Sequence, residues 1–178
     1  MKTVKIELTG DSPLLMNNPA TMMDEQTSTK KTAKYNHKER AEKLAYKDDK
    51  GILYVPAAAI KGCIIGGASY VKFGKFAAKP MIAGGVHIKP EKVSLGTKKY
   101  ELDIRTVVIQ RARVVKARPM IENWKLNFEL EYDESLIPDP LNQIKPIIED
   151  AGKRIGLLDF RPQKLGSFGR FRVTKWEE

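Results

Sequence analysis

The chain has 178 residues, 42% of them hydrophobic, a formal net charge of +10 and a single cysteine. That composition puts the positive excess on one folded body, and the lone Cys63 excludes an intramolecular disulfide and a thiolate zinc cluster. Such charge makes single-stranded nucleic acid the first partner to consider; with no secretory segment and no apolar run near 18 residues, a cytoplasmic location and no membrane contact are expected.

Val4, Ile6 and Leu8 alternate with Lys5, Glu7 and Thr9, which predicts a half-buried first strand closed by a turn at Gly10-Asp11-Ser12-Pro13. Residues 16–50 are polar and lack a sustained period until a short helix around Lys38 to Tyr46, so they are expected to project from the body as an inserted excursion. Asp48-Asp49-Lys50-Gly51 reads as a tight turn. A short strand over Gly51 to Val55 then leads into a helix with Pro56 in its first turn, running to about Val71. Gly62, Gly66 and Gly67 weaken that helix, which implies a strand or a ligand packed against its backbone.

Ala83 to Lys89 and Ile104 to Ala117 are strand-like, and Trp124, Leu126, Phe128, Leu130 and Tyr132 give the cleanest strand alternation in the chain. Pro138-Asp139-Pro140 opens a helix with Leu141, Ile144, Ile147 and Ile148 on one face and Gly152 as its stop, and Phe168 to Trp176 closes as a strand. The order of strand, helix, strands, helix, strand predicts an α+β fold. Its form is the ferredoxin-like split βαβ: an antiparallel sheet with two helices on one face and the other face free to bind.

The chemistry is concentrated in two stretches. Val55-Pro56-Ala57-Ala58-Ala59-Ile60-Lys61-Gly62 and Leu165-Gly166-Ser167-Phe168-Gly169-Arg170-Phe171-Arg172 each set bare backbone beside a cation, a pairing that suits phosphates. Arg105, Arg111, Arg113, Lys116 and Arg118 crowd one strand region with no acid between Asp103 and Glu122. Arg154, Arg161, Lys164, Arg170 and Arg172 form a second cluster interleaved with Phe160, Phe168 and Phe171; guanidinium groups grip phosphates and exposed rings stack on bases. Phe171 reads as core, whereas Phe168, between two glycines, reads as exposed. Only His37 and His87 are available for imidazole chemistry, and Gly74-Lys75-Phe76 lacks the Ser or Thr of a nucleotide-hydrolysing loop. No metal site and no cofactor is expected.

At these residues the chain resembles the RAMP superfamily of CRISPR-associated proteins, in particular the backbone subunits that polymerise along a guide RNA. Ser12-Pro13-Leu14-Leu15-Met16 is similar to the family's segment after the first strand, Tyr54 to Gly62 to its helix entry, and Gly166 to Phe171 to its glycine-rich loop. Ala57, Ala58 and Ala59 replace the family's glycine and serines, and Ile65 stands where many members carry arginine. The resemblance implies one RRM-like domain over residues 1–178, with residues 16–50 as a thumb-like insertion. It also implies a non-enzymatic single-stranded RNA-binding subunit, on a guide or target strand, self-associating along it.

The nucleic-acid-binding residues expected are Lys61, Gly62, Arg105, Arg111, Arg113, Lys116, Arg118, Arg161, Lys164, Gly166, Phe168, Gly169, Arg170 and Arg172. Two alternatives stay open. One is a metal-dependent endoribonuclease using Asp24, the nearest positional match to the loop aspartate with which some branches cleave target RNA. The other is a general single-stranded DNA-binding or annealing protein.

Overall fold

Val4, Ile6 and Leu8 turn inward along β1, Lys2–Gly10, while Lys5 and Glu7 turn to the opposite face. The computed structural model describes residues 1–21 and 36–178. After β1 come the short β2, Leu14–Leu15, then α1, His37–Leu44, β3, Tyr54–Pro56, and α2, Ala57–Gly67. A small hairpin of β4, Lys72–Phe73, and β5, Phe76–Ala77, is followed by α3, Ala78–Gly85, β6, Val86–Lys89, and β7, Lys92–Ser94. A long hairpin of β8, Glu101–Ile109, and β9, Ala112–Ile121, leads to β10, Lys125–Tyr132; α4, Pro140–Gln143, and α5, Lys145–Arg154, precede β11, Phe171–Glu177.

The main sheet has the order β11-β1-β10-β6, and every neighbouring pair is antiparallel. Its inward residues, among them Val4, Ile6, Leu8, Leu126, Phe128 and Leu130, share one buried cluster with Ile60 and Ile64 of α2 and Ile147 and Ile148 of α5. Each such side chain contributes roughly 1.5–3 kcal/mol by leaving water. A second sheet, β2-β9-β8, carries α1 against β9. Antiparallel sheets with packed helices make this an α+β architecture, consistent with an RRM-like fold.

Several boundaries differ from the sequence reading, each for a physical reason. Ile104 to Ala117 is not one bent strand but the two arms of the β8–β9 hairpin, because Gln110 and Arg111 take φ of 48° and 68° and reverse the chain. Pro56 caps α2 from outside at φ −61° and ψ 135°, and the helix ends at Gly67 before a 3-10 turn over Ala68–Tyr70. Helix α5 packs against Gly67, where a Cβ would stand 2.8 Å from Ala151 Cβ, and Ile155 packs against Gly66, while nothing lies within 4 Å of a Cβ on Gly62. Ala83 to Gly85 belong to α3, with Ala78, Ile82 and Gly85 buried, and only Val86 to Lys89 are strand.

Gly152 is not a stop. It lies inside α5, where a Cβ would fall 2.2 Å from Phe171 O, so it sets the distance between helix and β11; the α5 carbonyl of Ala151 is instead closed by Ile155 N and Gly156 N. The described ends of residues 16–50 lie on the body rather than projecting: Met16, Ala41 and Ala45 are buried, and Asn18 N donates to Leu44 O at 2.9 Å. Asp48 does make the turn read from sequence, its Oδ1 accepting from Lys50 N at 2.9 Å and Ile52 N at 2.8 Å.

Candidate nucleic-acid interface

The loop between α5 and β11 folds back on itself and on the start of the chain. Leu157 N donates to Gly169 O at 2.9 Å, Phe168 N to Phe160 O at 3.1 Å and Gly166 N to Arg161 O at 3.0 Å. Asp159 N reaches Leu15 O at 3.0 Å, Gly169 N reaches Pro13 O at 2.8 Å, and Arg170 N reaches Ser12 Oγ at 2.9 Å. Gly169, at φ +70°, would put a Cβ 2.0 Å from Leu157 O, and Gly166 would put one 1.8 Å from Phe160 O. The close backbone approach expected for a phosphate is therefore occupied by the chain's own carbonyls at both glycines.

Phe168 is buried, not exposed: its ring centroid lies 5.8 Å from that of Phe160, and the Arg105 guanidinium sits 4.9 Å from its own centroid. Ring and cation are thus spent on each other.

Arg118 is likewise drawn inward. Its side chain is 5% exposed, with Nη1 2.8 Å from Asp159 Oδ2 and Nη2 3.3 Å from Asp103 Oδ2. Arg105 Nε adds a contact to Asp103 Oδ1 at 2.6 Å. A buried guanidinium held by two carboxylates joins β8, β9 and the C-terminal loop, and it is not a surface cation. Arg111 and Arg113 are exposed at the hairpin tip, and Lys116 faces Arg105 across the ladder. Arg172 is paired with Asp11 and Arg154 with Asp150, whereas Lys164 and Arg170 are exposed.

The first of the two stretches singled out from sequence lines a groove whose far wall is the segment before the second stretch, and no residue from Leu165 to Arg172 lines it. Its volume is about 450 Å³; Ala58, Ala59, Gly62 and Cys63 of α2 form one wall, Gly156, Asp159, Arg161 and Gln163 the other, and Asn17, Pro19 and Tyr46 close the end. Ala57 N is tied to Glu91 O at 2.8 Å, so the next amides of the first turn, which have no intrahelical partner, are those beside the groove. Gly62 leaves its side open, with nothing within 4 Å of a Cβ, and Lys61 is half-buried beside it. Arg161 is held at the opposite wall by Leu158 O at 2.7 Å and Gln163 Oε1 at 3.2 Å. Beneath them burial pushes the Cys63 thiol up to about 12, opposed by the Arg161 charge.

The uncovered face of the main sheet differs from this groove. Lys5, Glu7, Asn127, Glu129, Lys175 and Glu177 occupy it in a nearly balanced mixture of charge, and of the expected binding residues Arg172, opposite Thr9 and paired with Asp11, stands at its edge. The Thr174 hydroxyl, then Lys125 and Lys175, hold the Glu7 carboxyl below its ordinary value.

The sequence reading missed Asn17, Tyr46, Asp159 and Gln163 as wall residues. Asp159 stands two residues before Arg161, and its role shows only when β9 brings Arg118 alongside. Asp24 lies outside the described residues. Among the described residues no group of three or more His, Cys, Asp and Glu could hold a metal ion, and no helix is long and apolar enough to cross a membrane.

No family model matches the sequence, and no curated protein matches it. Among solved structures, the chain is similar to one from the cryo-EM structure of the Type III-B Cmr-beta bound to cognate target RNA. The TM-score is 0.63 at 16% sequence identity, over 98% of this chain and 59% of that one. At that identity the likeness is one of fold, and this chain spans less than two thirds of its neighbour's length.

Proposed function

We propose that the chain is a single-stranded RNA-binding backbone subunit of a CRISPR-type ribonucleoprotein, a RAMP-like split βαβ domain over residues 1–178 that assembles side by side along a guide strand. The observation that carries this reading is the groove in which Arg161 faces the open first turn of α2. A guanidinium fixed by neutral acceptors keeps its charge for an incoming phosphate, and free helix amides on the other wall add a second anion-facing element. Lys164 and Arg170 extend the same positive edge, and Arg111 and Arg113 carry it along the hairpin. The fold likeness to a chain of an RNA-bound complex supports the same partner.

Self-association is supported by β8, the outer strand of its sheet, where Leu102, Ile104 and Val108 are 40%, 50% and 69% exposed. An apolar edge strand of this length invites a second chain. The test is binding of the protein, stripped of nucleic acid, to matched RNA and DNA oligomers across a salt series. RNA preference with affinity that drops steeply as salt rises is expected. Equal affinity for DNA moves the assignment to a general single-strand binder, and salt-independent binding or none ends it.

A further inference from the structure

The stretch from Lys50 to Pro90 holds six lysines and no acidic residue, and only Lys61 of these adjoins the groove. Three of the others, Lys72, Lys75 and Lys79, surround the β4–β5 hairpin at the opposite end of α2, about 16 Å from its first turn by helical rise. Here the chain exposes aromatic rings that the core does not use. Tyr70 is 98% exposed and Phe76 is 70% exposed, while Phe73, directly opposite Phe76 in the ladder, packs against the core and anchors the hairpin. Gly74, at φ +61°, makes the two-residue turn that holds Phe76 out. All three lysines are exposed.

Asp150, which lines the hollow beside Lys72, is engaged by Arg154, and exposed rings beside ammonium groups make a sequence-tolerant platform for bases, each ring stacking while a lysine meets the adjoining phosphate. We propose that the β4–β5 hairpin, through Tyr70, Phe76, Lys72 and Lys75, is a second single-stranded RNA contact that stacks unpaired bases lying beyond the groove. It rests on the RNA-binding reading and extends it, because the strand held at Arg161 must leave the groove, and Lys72, Lys75 and Lys79 place cations at the far end of α2.

The experiment compares fluorescence anisotropy on oligouridines of roughly 3 and roughly 30 nucleotides; at about 3.4 Å per stacked nucleotide the first covers about 10 Å, short of the distance from groove to hairpin. Tyr70→Ala with Phe76→Ala removes mainly exposed surface and leaves the Phe73 anchor in place. It is expected to weaken the long oligomer by about tenfold or more while leaving the short one unchanged. Tyr70→Trp with Phe76→Trp keeps the platform, and its affinity for the long oligomer should match the wild type, with indole fluorescence quenched on binding. If the wild type binds the long oligomer and the alanine variant binds it equally well, the hairpin is not an RNA contact, and vesicle or protein binding lost in that variant identifies the other occupant. Failure of the wild type to bind either oligomer overturns the RNA reading together with this one.

Discussion

Arg118 Nη1 stands 2.8 Å from Asp159 Oδ2, an ion pair that bolts the β8–β9 hairpin to the loop before β11. Asp103 takes the other amino group, so the guanidinium is shared between two carboxylates in a site that is almost closed to water. Arg118→Ala strips Asp103 Oδ2 and Asp159 Oδ2 of their cation and leaves Asp103 only the half-exposed Arg105, and is expected to lower stability by about 3 kcal/mol, read from the urea midpoint. Arg105→Ala, at a half-exposed pair, should lower it by about 1 kcal/mol or less. The reverse order would show that Arg118 is not the structural cation of the pair.

Phosphate contacts are separable from structural ones by salt. Arg161→Ala and Arg170→Ala should each weaken RNA binding and reduce the slope of log affinity against log salt by about 0.7, the single-strand value per phosphate. Arg172→Ala, whose guanidinium is held by Asp11, should change the slope least. Anisotropy over a salt series checks all three.

Two glycines in the same sequence pattern should respond oppositely. Gly169→Ala meets both a positive φ and the Leu157 carbonyl, and is expected to lower the melting temperature by an amount equivalent to about 2 kcal/mol or more. Gly62→Ala enters open space on a helix and should raise stability by up to about 1 kcal/mol. Calorimetry on the pair decides it.

The Tyr100 phenol is pushed up to about 12, first by burial and then by its hydrogen bond to Glu42. A folded-state value above the ordinary 10 favours the neutral ring in the native state, so this contribution is intact below pH 10 and is lost as pH rises toward 12. Denaturation midpoints should fall across that window in the wild type. The fall should be shallower in Tyr100→Phe; equal slopes would exclude the tyrosine as the source.

Cys63 is buried under the groove with its thiol pushed up to about 12 by desolvation. Reaction with a thiol reagent at pH 8 should be negligible in the folded protein and complete in denaturant. Rapid labelling of the native chain would mean that the groove floor opens.

Periodicity made β1, β10 and the α4–α5 face legible, because each buries one side and leaves the other in water. It failed at α3 and at the β8–β9 turn. Ala78 to Gly85 has few apolar anchors, and Gln110-Arg111 carries none of the glycine or asparagine that announces positive φ. Of the candidate site, Gly62 stood out in the first stretch and Arg161 in the second basic cluster, and the groove brings them together. Phe168 and Arg118 did not declare themselves, since burial of a ring under Arg105 or of a guanidinium between Asp103 and Asp159 depends on residues distant in sequence. The same holds for Gly166 and Gly169, whose neighbours are carbonyls of the loop itself.

The walls of the groove come from residues 17–19, 46, 58–63 and 155–163, so synthesis sets an order on its completion. The α2 wall leaves the ribosome roughly 100 residues before Arg161 does, and at about 5–20 residues per second that is an interval of several seconds. For most of it β1 lacks both of its neighbours, β10 and β11, and β11 is still missing at its end. The groove is therefore unassembled for as long as the main sheet is incomplete, and on the proposed reading competence to engage a strand arrives only with the last tenth or so of the chain.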